Sequence, residues 1–387
     1  MVTISEARNQ MTTEFTKRAA LTTLLIVGLL GLQQLPRLLR KSQVGHRVNQ
    51  LISPMSKNEM SRENVDALVD GYYEGLRRDA TAPGLPGERE DINFRDDFLR
   101  YELKPNLKRP YKAGLRFTNS MGMANPEYPY AKPPHTRRIA LLGDSLSLGP
   151  YGKDYVARLE DRLNQNCRTP EIQNYEVLNF SVYAYSIVQM MDVGLNKAPL
   201  FHPDAYVFTI TDLEGMDTLG WTTHVGSLLT NGTDLKYDYL RQVVADAGLQ
   251  STNHLPTIRK RLKPYILPVR RWALQQVRDK AAAQGASMAI FLIPAPLPPD
   301  FVNSDFNEFR EAALPLGVPI IDLRDTFSSV NLSNIEVDPN SDIHPNALGH
   351  AMIADNLFAK LQAQPGAWLL LAGHPCEVAS SATAAGK

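Results

Sequence analysis

Residues 138–147 read Arg138-Ile139-Ala140-Leu141-Leu142-Gly143-Asp144-Ser145-Leu146-Ser147. Four apolar residues in a row, halted at a glycine, have the form of a short strand buried on both faces. Helical spacing follows from Tyr155 to Leu163. The alternation then repeats. Tyr175 to Phe180 reads as a second strand, and Ser186 to Ala198 as a helix. Asp204 to Thr211 is a third strand, and a long helix covers Val269 to Gln284. Ser287 to Ile293 and Val318 to Leu323 are the fourth and fifth strands, and Asn346 to Leu361 is a last helix. Strands alternating with helices predict parallel βαβ units, hence an α/β doubly wound sheet of about five strands. In such sheets ligands bind beyond the carboxyl ends of the strands, so the chemistry belongs just after each apolar run.

The first strand is followed by Gly143-Asp144-Ser145-Leu146-Ser147-Leu148-Gly149. A serine on a tight turn into a helix is held where backbone N–H groups point outward, which exposes its hydroxyl and supplies an oxyanion donor. Gly143 suits a sharp turn. The plainer reading is a helix cap by Asp144 or Ser145, and taken alone the short motif favours it. The far end of the chain shifts that balance. Ser341-Asp342-Ile343-His344-Pro345-Asn346 precedes the last helix. A serine nucleophile needs a base, and the base needs an acceptor that fixes its tautomer. His344 has the chemistry of the base, and Asp342 that of the acceptor. The plain alternative for His344 is a capping or surface histidine beside Pro345. His350 reads as structural.

Together these blocks resemble the SGNH (GDSL) hydrolase superfamily. Its first block is present as Gly143 to Ser147, and its last as Asp342-Ile343-His344-Pro345. The phrase Phe117-Thr118-Asn119-Ser120-Met121-Gly122 and the approach Arg137-Arg138-Ile139 look like a subgroup found with bacterial cell-surface polysaccharide genes. The resemblance covers about Phe117 to Leu361. It implies a flavodoxin-like sheet and a serine esterase acting on acyl or acetyl esters of a glycan or lipid. Ser145 would be the nucleophile, His344 the base and Asp342 its orienting acid. The Ser145 N–H, the Ser181 N–H and the Thr211 hydroxyl would hold the oxyanion. No metal and no organic cofactor is implied. The middle blocks depart from the family. Ser181 stands in the place of a glycine, Thr211 in the place of an asparagine, and Ser341 stands three residues before His344. An O-acyltransferase with the same triad fits equally, because the acyl-enzyme is shared. A non-catalytic binding module on the same scaffold is the reading that the departures favour.

Composition sets the outer bounds. The chain has 387 residues, 43% hydrophobic and 21% charged, enough to bury a sizeable core. Lys+Arg 41 against Asp+Glu 41 gives no cationic excess of the kind nucleic-acid binding needs. Two cysteines, Cys167 and Cys376, exclude a disulfide scaffold and a four-cysteine zinc site; they can pair if the chain is exported. After a polar segment, 1–18, the run Ala19 to Leu32 carries no charge. Stretched to residue 35, it falls a little short of the ~20 residues a spanning helix prefers, yet no cleavage site follows. It reads as an uncleaved membrane anchor with the catalytic domain outside the cytoplasm. Residues 36–130 read as a linker and accessory layer, with a helix at Ser61 to Arg78. The hydrolase domain is read over 131–365 and a tail over 366–387, disordered from Glu377. Residues 213–262 are a long insertion that reads as a lid carrying Trp221 and His224. The cluster Arg259, Lys260, Arg261, Lys263, Arg270, Arg271, Arg278 and Lys280 reads as a solvated helix face, with anionic lipid or glycan as the sharper alternative.

Overall fold

A computed structural model describes residues 89–111, 113–212, 220–297, 299–338 and 342–376. The proposed anchor, the helix at Ser61 to Arg78, Ser341 and the tail from Glu377 lie outside these residues. Among the described residues no helix is long and apolar enough to cross a membrane.

The region read as a linker holds two antiparallel hairpins. One pairs β1 (Ile92–Phe94) with β2 (Tyr101–Leu103), the other β3 (Lys108–Tyr111) with β4 (Gly114–Phe117). Each strand has three or four residues. That is too short for an alternation to register in sequence.

The main sheet contains β5 (Thr136–Leu142), β6 (Asn174–Asn179), β7 (Ala205–Thr211), β8 (Ser287–Ile293) and β9 (Ile320–Asp322). Its order is β6-β5-β7-β8-β9, and every pair is parallel. This is the flavodoxin-like order of a doubly wound sheet. β7 lies in the middle and is buried along its whole length. The helices are α1 (Tyr155–Asn166), α2 (Ile187–Asn196), α3 (Trp221–Thr230), α4 (Asp238–Asp246), α5 (Leu255–Leu262), α6 (Ile266–Ala283), α7 (Pro299–Ala313), α8 (Ala347–Gln362) and α9 (Pro365–Ala372). Between β9 and α8 a small hairpin pairs β10 (Glu336–Asp338) with β11 (Asp342–Pro345).

Alternation along the strands sorts the core. Ile139, Leu141, Val177, Val207 and Phe291 share one face, packed with Val156, Leu159 and Leu163 of α1, Leu357 and Leu361 of α8, and Trp368 and Leu371 of α9. The core around the sheet therefore runs on past 365, the end read for the domain from sequence. α9 belongs to this core, and beyond it Cys376 is bonded to Cys167. The edge strand β6 is covered, as an unpaired edge must be to resist pairing with another chain. Buried Asn125 takes the Asn179 N–H and donates to the Val177 carbonyl.

The insertion 213–262 contributes α3, α4 and α5, with Trp221, Val225, Leu228, Leu240, Ile258 and Leu262 buried. Trp221 is a core residue, and His224 packs edge-on against Phe98 with ring centroids 5.2 Å apart. Within the basic cluster Arg270 serves packing, while Lys260, Arg261 and Lys263 lie exposed, as a solvated helix face requires. Arg270 is buried, paired with Glu308 at 2.7 Å and lying over the Phe309 ring. Arg278 pairs with Asp279, and Arg261 donates to the Gly248 carbonyl.

Candidate active site

The turn that carries Ser145 is built at the carboxyl end of β5. A single 3-10 turn spans Ser145–Ser147, capped by Asp144 in extended conformation. Asp144 Oδ1 accepts the Leu146 N–H at 2.9 Å, and Oδ2 accepts the Thr211 hydroxyl at 2.5 Å. The Leu148 N–H closes the turn onto the Ser145 carbonyl at 3.0 Å. Asp144 therefore caps this turn, and Ser145 is its first residue. Gly143 is needed for room. A Cβ there would lie 2.1 Å from Thr209 Oγ1, 2.8 Å from Ser181 Oγ and 2.9 Å from Ser147 Oγ.

The β10–β11 hairpin brings up the other two residues. Asp342 pairs with Asp338, and Pro345 with Glu336. Pro345 thus ends a strand; Asn346 caps α8 by accepting the Leu348 and Gly349 N–H groups. Asp342 Oδ1 lies 2.7 Å from His344 Nδ1 and accepts the His344 backbone N–H at 3.1 Å. His344 Nε2 lies 2.7 Å from Ser145 Oγ. The three residues named from sequence are therefore in one hydrogen-bonded line. Ser145 is 2% and His344 7% exposed, so this line is largely shielded from water.

The electrostatics fix the tautomer. Burial pushes the Asp342 carboxyl up, but its interaction with the His344 ring and the hydrogen bonds it accepts from His344 outweigh it and hold the group below the usual carboxylate range. An ionised carboxylate only accepts, so Nδ1 carries the ring proton and Nε2 is left to accept from the serine hydroxyl. Asp144 differs. Its burial raises it to about 6, against the opposing hydrogen bonds from Thr211 and the Leu146 N–H.

Two assignments from sequence change. Thr211 is fully buried, and its one hydroxyl proton goes to Asp144. It braces the Ser145 turn and has no proton to give an oxyanion. The Ser181 N–H donates to Asn179 Oδ1 at 3.1 Å, while its buried Oγ has no hydrogen-bond partner. Sequence reasoning also missed supports of the turn. Asn179 Nδ2 donates to the Ser147 carbonyl, and Ser147 Oγ meets Tyr155 OH at 2.7 Å and Thr209 Oγ1 at 3.0 Å. Among the described residues no group of three His, Cys, Asp or Glu side chains is placed to hold a metal.

His350 is buried, as its structural reading implied, with its ring stacked on Tyr155 at 6.0 Å. Burial drives it down to about 3, helped by the charge of Arg116. It is thus neutral when folded but protonated below about 6.5 when unfolded. A base with a depressed folded pKa lends stability that is present above 6.5 and lost as pH falls toward 3. Each pH unit in that window removes up to about 1.4 kcal/mol. His350→Gln should remove that loss. Between pH 7 and pH 4.5 its urea unfolding free energy should fall by about 2–3 kcal/mol less than that of the wild type. Equal falls would place the acid sensitivity elsewhere.

No protein-family model and no curated protein matches the chain. Solved structures do. A catalytic mutant of an acetylxylan esterase from Geobacillus stearothermophilus is similar at 13% identity and TM-score 0.38, covering 58% of this chain and 94% of that one. The psychrotrophic esterase EstA from Pseudoalteromonas sp. is similar at 14% identity and TM-score 0.37, covering 59% and 97%. A G-D-S-L family protein from Desulfitobacterium hafniense is similar at 12% identity and TM-score 0.35, covering 58% and 99%. The chain's own sheet order, with a serine turn at the end of β5 and a His/Asp hairpin before α8, is the α/β fold that the SGNH resemblance implies.

Proposed function

We propose that the chain is a serine ester hydrolase of SGNH type, working through an acyl-enzyme. The observation that carries this is the continuous line from Ser145 Oγ to His344 Nε2 and from His344 Nδ1 to Asp342, each link 2.7 Å. Ser145 attacks the acyl carbonyl as His344 takes its proton. The imidazolium that forms is stabilised by Asp342 and returns the proton to the leaving alcohol. Water, activated by the same histidine, then releases the acid. The oxyanion is assigned to the Ser145 N–H at the start of the 3-10 turn, with no part for Thr211.

The substrate class proposed is an acyl or acetyl ester of a glycan or lipid, on the sequence resemblance. Export is proposed as well, supported by the Cys167–Cys376 bond, since such bonds persist in oxidising compartments.

The test is labelling by a fluorophosphonate probe of the wild type, Ser145→Ala and His344→Ala. Labelling of the wild type that is lost in both variants is expected. A folded wild-type protein that does not label would favour the binding-module reading. Adding a glycan acceptor to a hydrolysing sample separates the transferase: acylated glycan in place of free acid would identify it.

A further inference from the structure

The hairpins before the sheet grip both loops of the site. Tyr101 OH donates to the Tyr183 carbonyl at 2.8 Å, on the loop after β6. Tyr183 OH donates to Asp91 at 3.1 Å, and Arg109 holds the same buried carboxylate through two bonds of 2.6 and 2.7 Å. From β4, Arg116 Nη1 donates to the Leu148 carbonyl at 2.7 Å. Leu148 is the residue whose N–H closes the nucleophile turn onto Ser145. The Arg116 guanidinium lies 3.9 Å over the Tyr111 ring and 5.2 Å from the Tyr183 ring centroid. Just past the turn, the Tyr151 N–H donates to the Leu115 carbonyl at 3.0 Å.

We propose that Arg116 is a positioning residue for Ser145, fixing the outer end of the nucleophile turn against the hairpin. The inference rests on the serine-hydrolase reading and adds the hairpin layer to its site. A single 3-10 turn has few internal bonds, so its orientation depends on what holds its ends. The inner end is held by Asp144 and Thr211, the outer end by Arg116. A guanidinium suits that task. It is planar, keeps its charge, stacks on aromatic rings, and makes shorter and stronger bonds than a neutral donor. The Tyr111 and Tyr183 rings restrict its rotation, so the Leu148 carbonyl is met without much further ordering.

The test compares wild type, Arg116→Met and Arg116→Lys in time-resolved labelling by a fluorophosphonate, resolving probe affinity from the bond-forming rate, with a thermal melt of each. Arg116→Met should lower the bond-forming rate by about 10- to 100-fold, since a misplacement of about 1 Å costs that much. Probe affinity should change little. Arg116→Lys keeps the charge and a donor but loses the plane held by the two rings, and should recover part of the rate. Arg116→Met labelling at the wild-type rate would overturn the proposal. So would a loss that Arg116→Lys shares in full, which marks a packing role alone. If Arg116→Met does not fold, Arg116→Gln is read by the same two criteria. Failure of the wild type to label would instead overturn the hydrolase reading, and the proposal with it.

Discussion

Asp342→Ala is expected to lower ester hydrolysis by roughly 10⁴-fold with the fold retained. The size follows from what the carboxylate does. It holds the His344 ring so that Nε2 faces Ser145, and it stabilises the charge that appears on the ring during attack. Both are lost with the side chain. Asp342→Asn separates the two. Here a single oxygen, Oδ1, accepts both the ring Nδ1–H and the His344 backbone N–H. An amide carbonyl can occupy that position and keep both bonds, so the tautomer persists and only the charge is lost. The expected loss is then about 10²-fold, equal to about 2.7 kcal/mol of barrier. Steady-state hydrolysis of p-nitrophenyl acetate by both variants, beside a thermal melt, is the check. Asp342→Ala within tenfold of wild type would remove Asp342 from the mechanism. An Asn variant as slow as the Ala variant would mean that the amide nitrogen, not the carbonyl, faces the ring.

The strands of the sheet were legible because a parallel strand covered on both faces must be apolar throughout, and such runs stand out between helices. Ser145, Asp342 and His344 were legible for a different reason. Chemistry demands those residue types, and the topology puts the ends of β5 and the segment before α8 at the same edge. The rest depended on partners that sequence does not name. Thr211 was placed correctly at the end of β7, but position on a strand does not say which acceptor a hydroxyl meets, and Asp144 is the acceptor. Gly143 was valued for turning; its value lies in three hydroxyl oxygens that leave no space for a Cβ. Arg116 gave no signal, since a cation on a four-residue, half-buried strand looks like any surface residue. α9 was read as tail because its eight residues, PGAWLLLA, are too few and too uniformly apolar to show a helical period.

Replacing Cys167 and Cys376 together by alanine is expected to cost several kcal/mol of stability and little activity at 25 °C. The bond joins residues 209 apart in sequence. On the chain-entropy account a loop of that length is worth about 5 kcal/mol, because its closure removes much of the freedom of the unfolded chain. The native side of the bond is well supported. Cys167 is buried at the end of α1, where its carbonyl accepts Tyr175 OH at 2.8 Å and lies 2.7 Å from His374 Nε2. Just ahead of Cys376, α9 packs Trp368 and Leu371 into the core. Cutting the link therefore frees α9 to detach as well as loosening the unfolded state. Activity should survive, because Cys167 follows α1 at the amino-terminal edge of the sheet, next to the start of β6, whereas Ser145 and His344 stand at the carboxyl edge. The measurement is urea unfolding of wild type with and without reductant and of the double variant, with fluorophosphonate labelling in parallel. Unchanged midpoints in all three would deny the bond any stabilising part. A typical folded chain is stable by only about 5–15 kcal/mol. Loss of about 5 in a reducing compartment would take away much of that margin, which is the thermodynamic reason for the export proposed above.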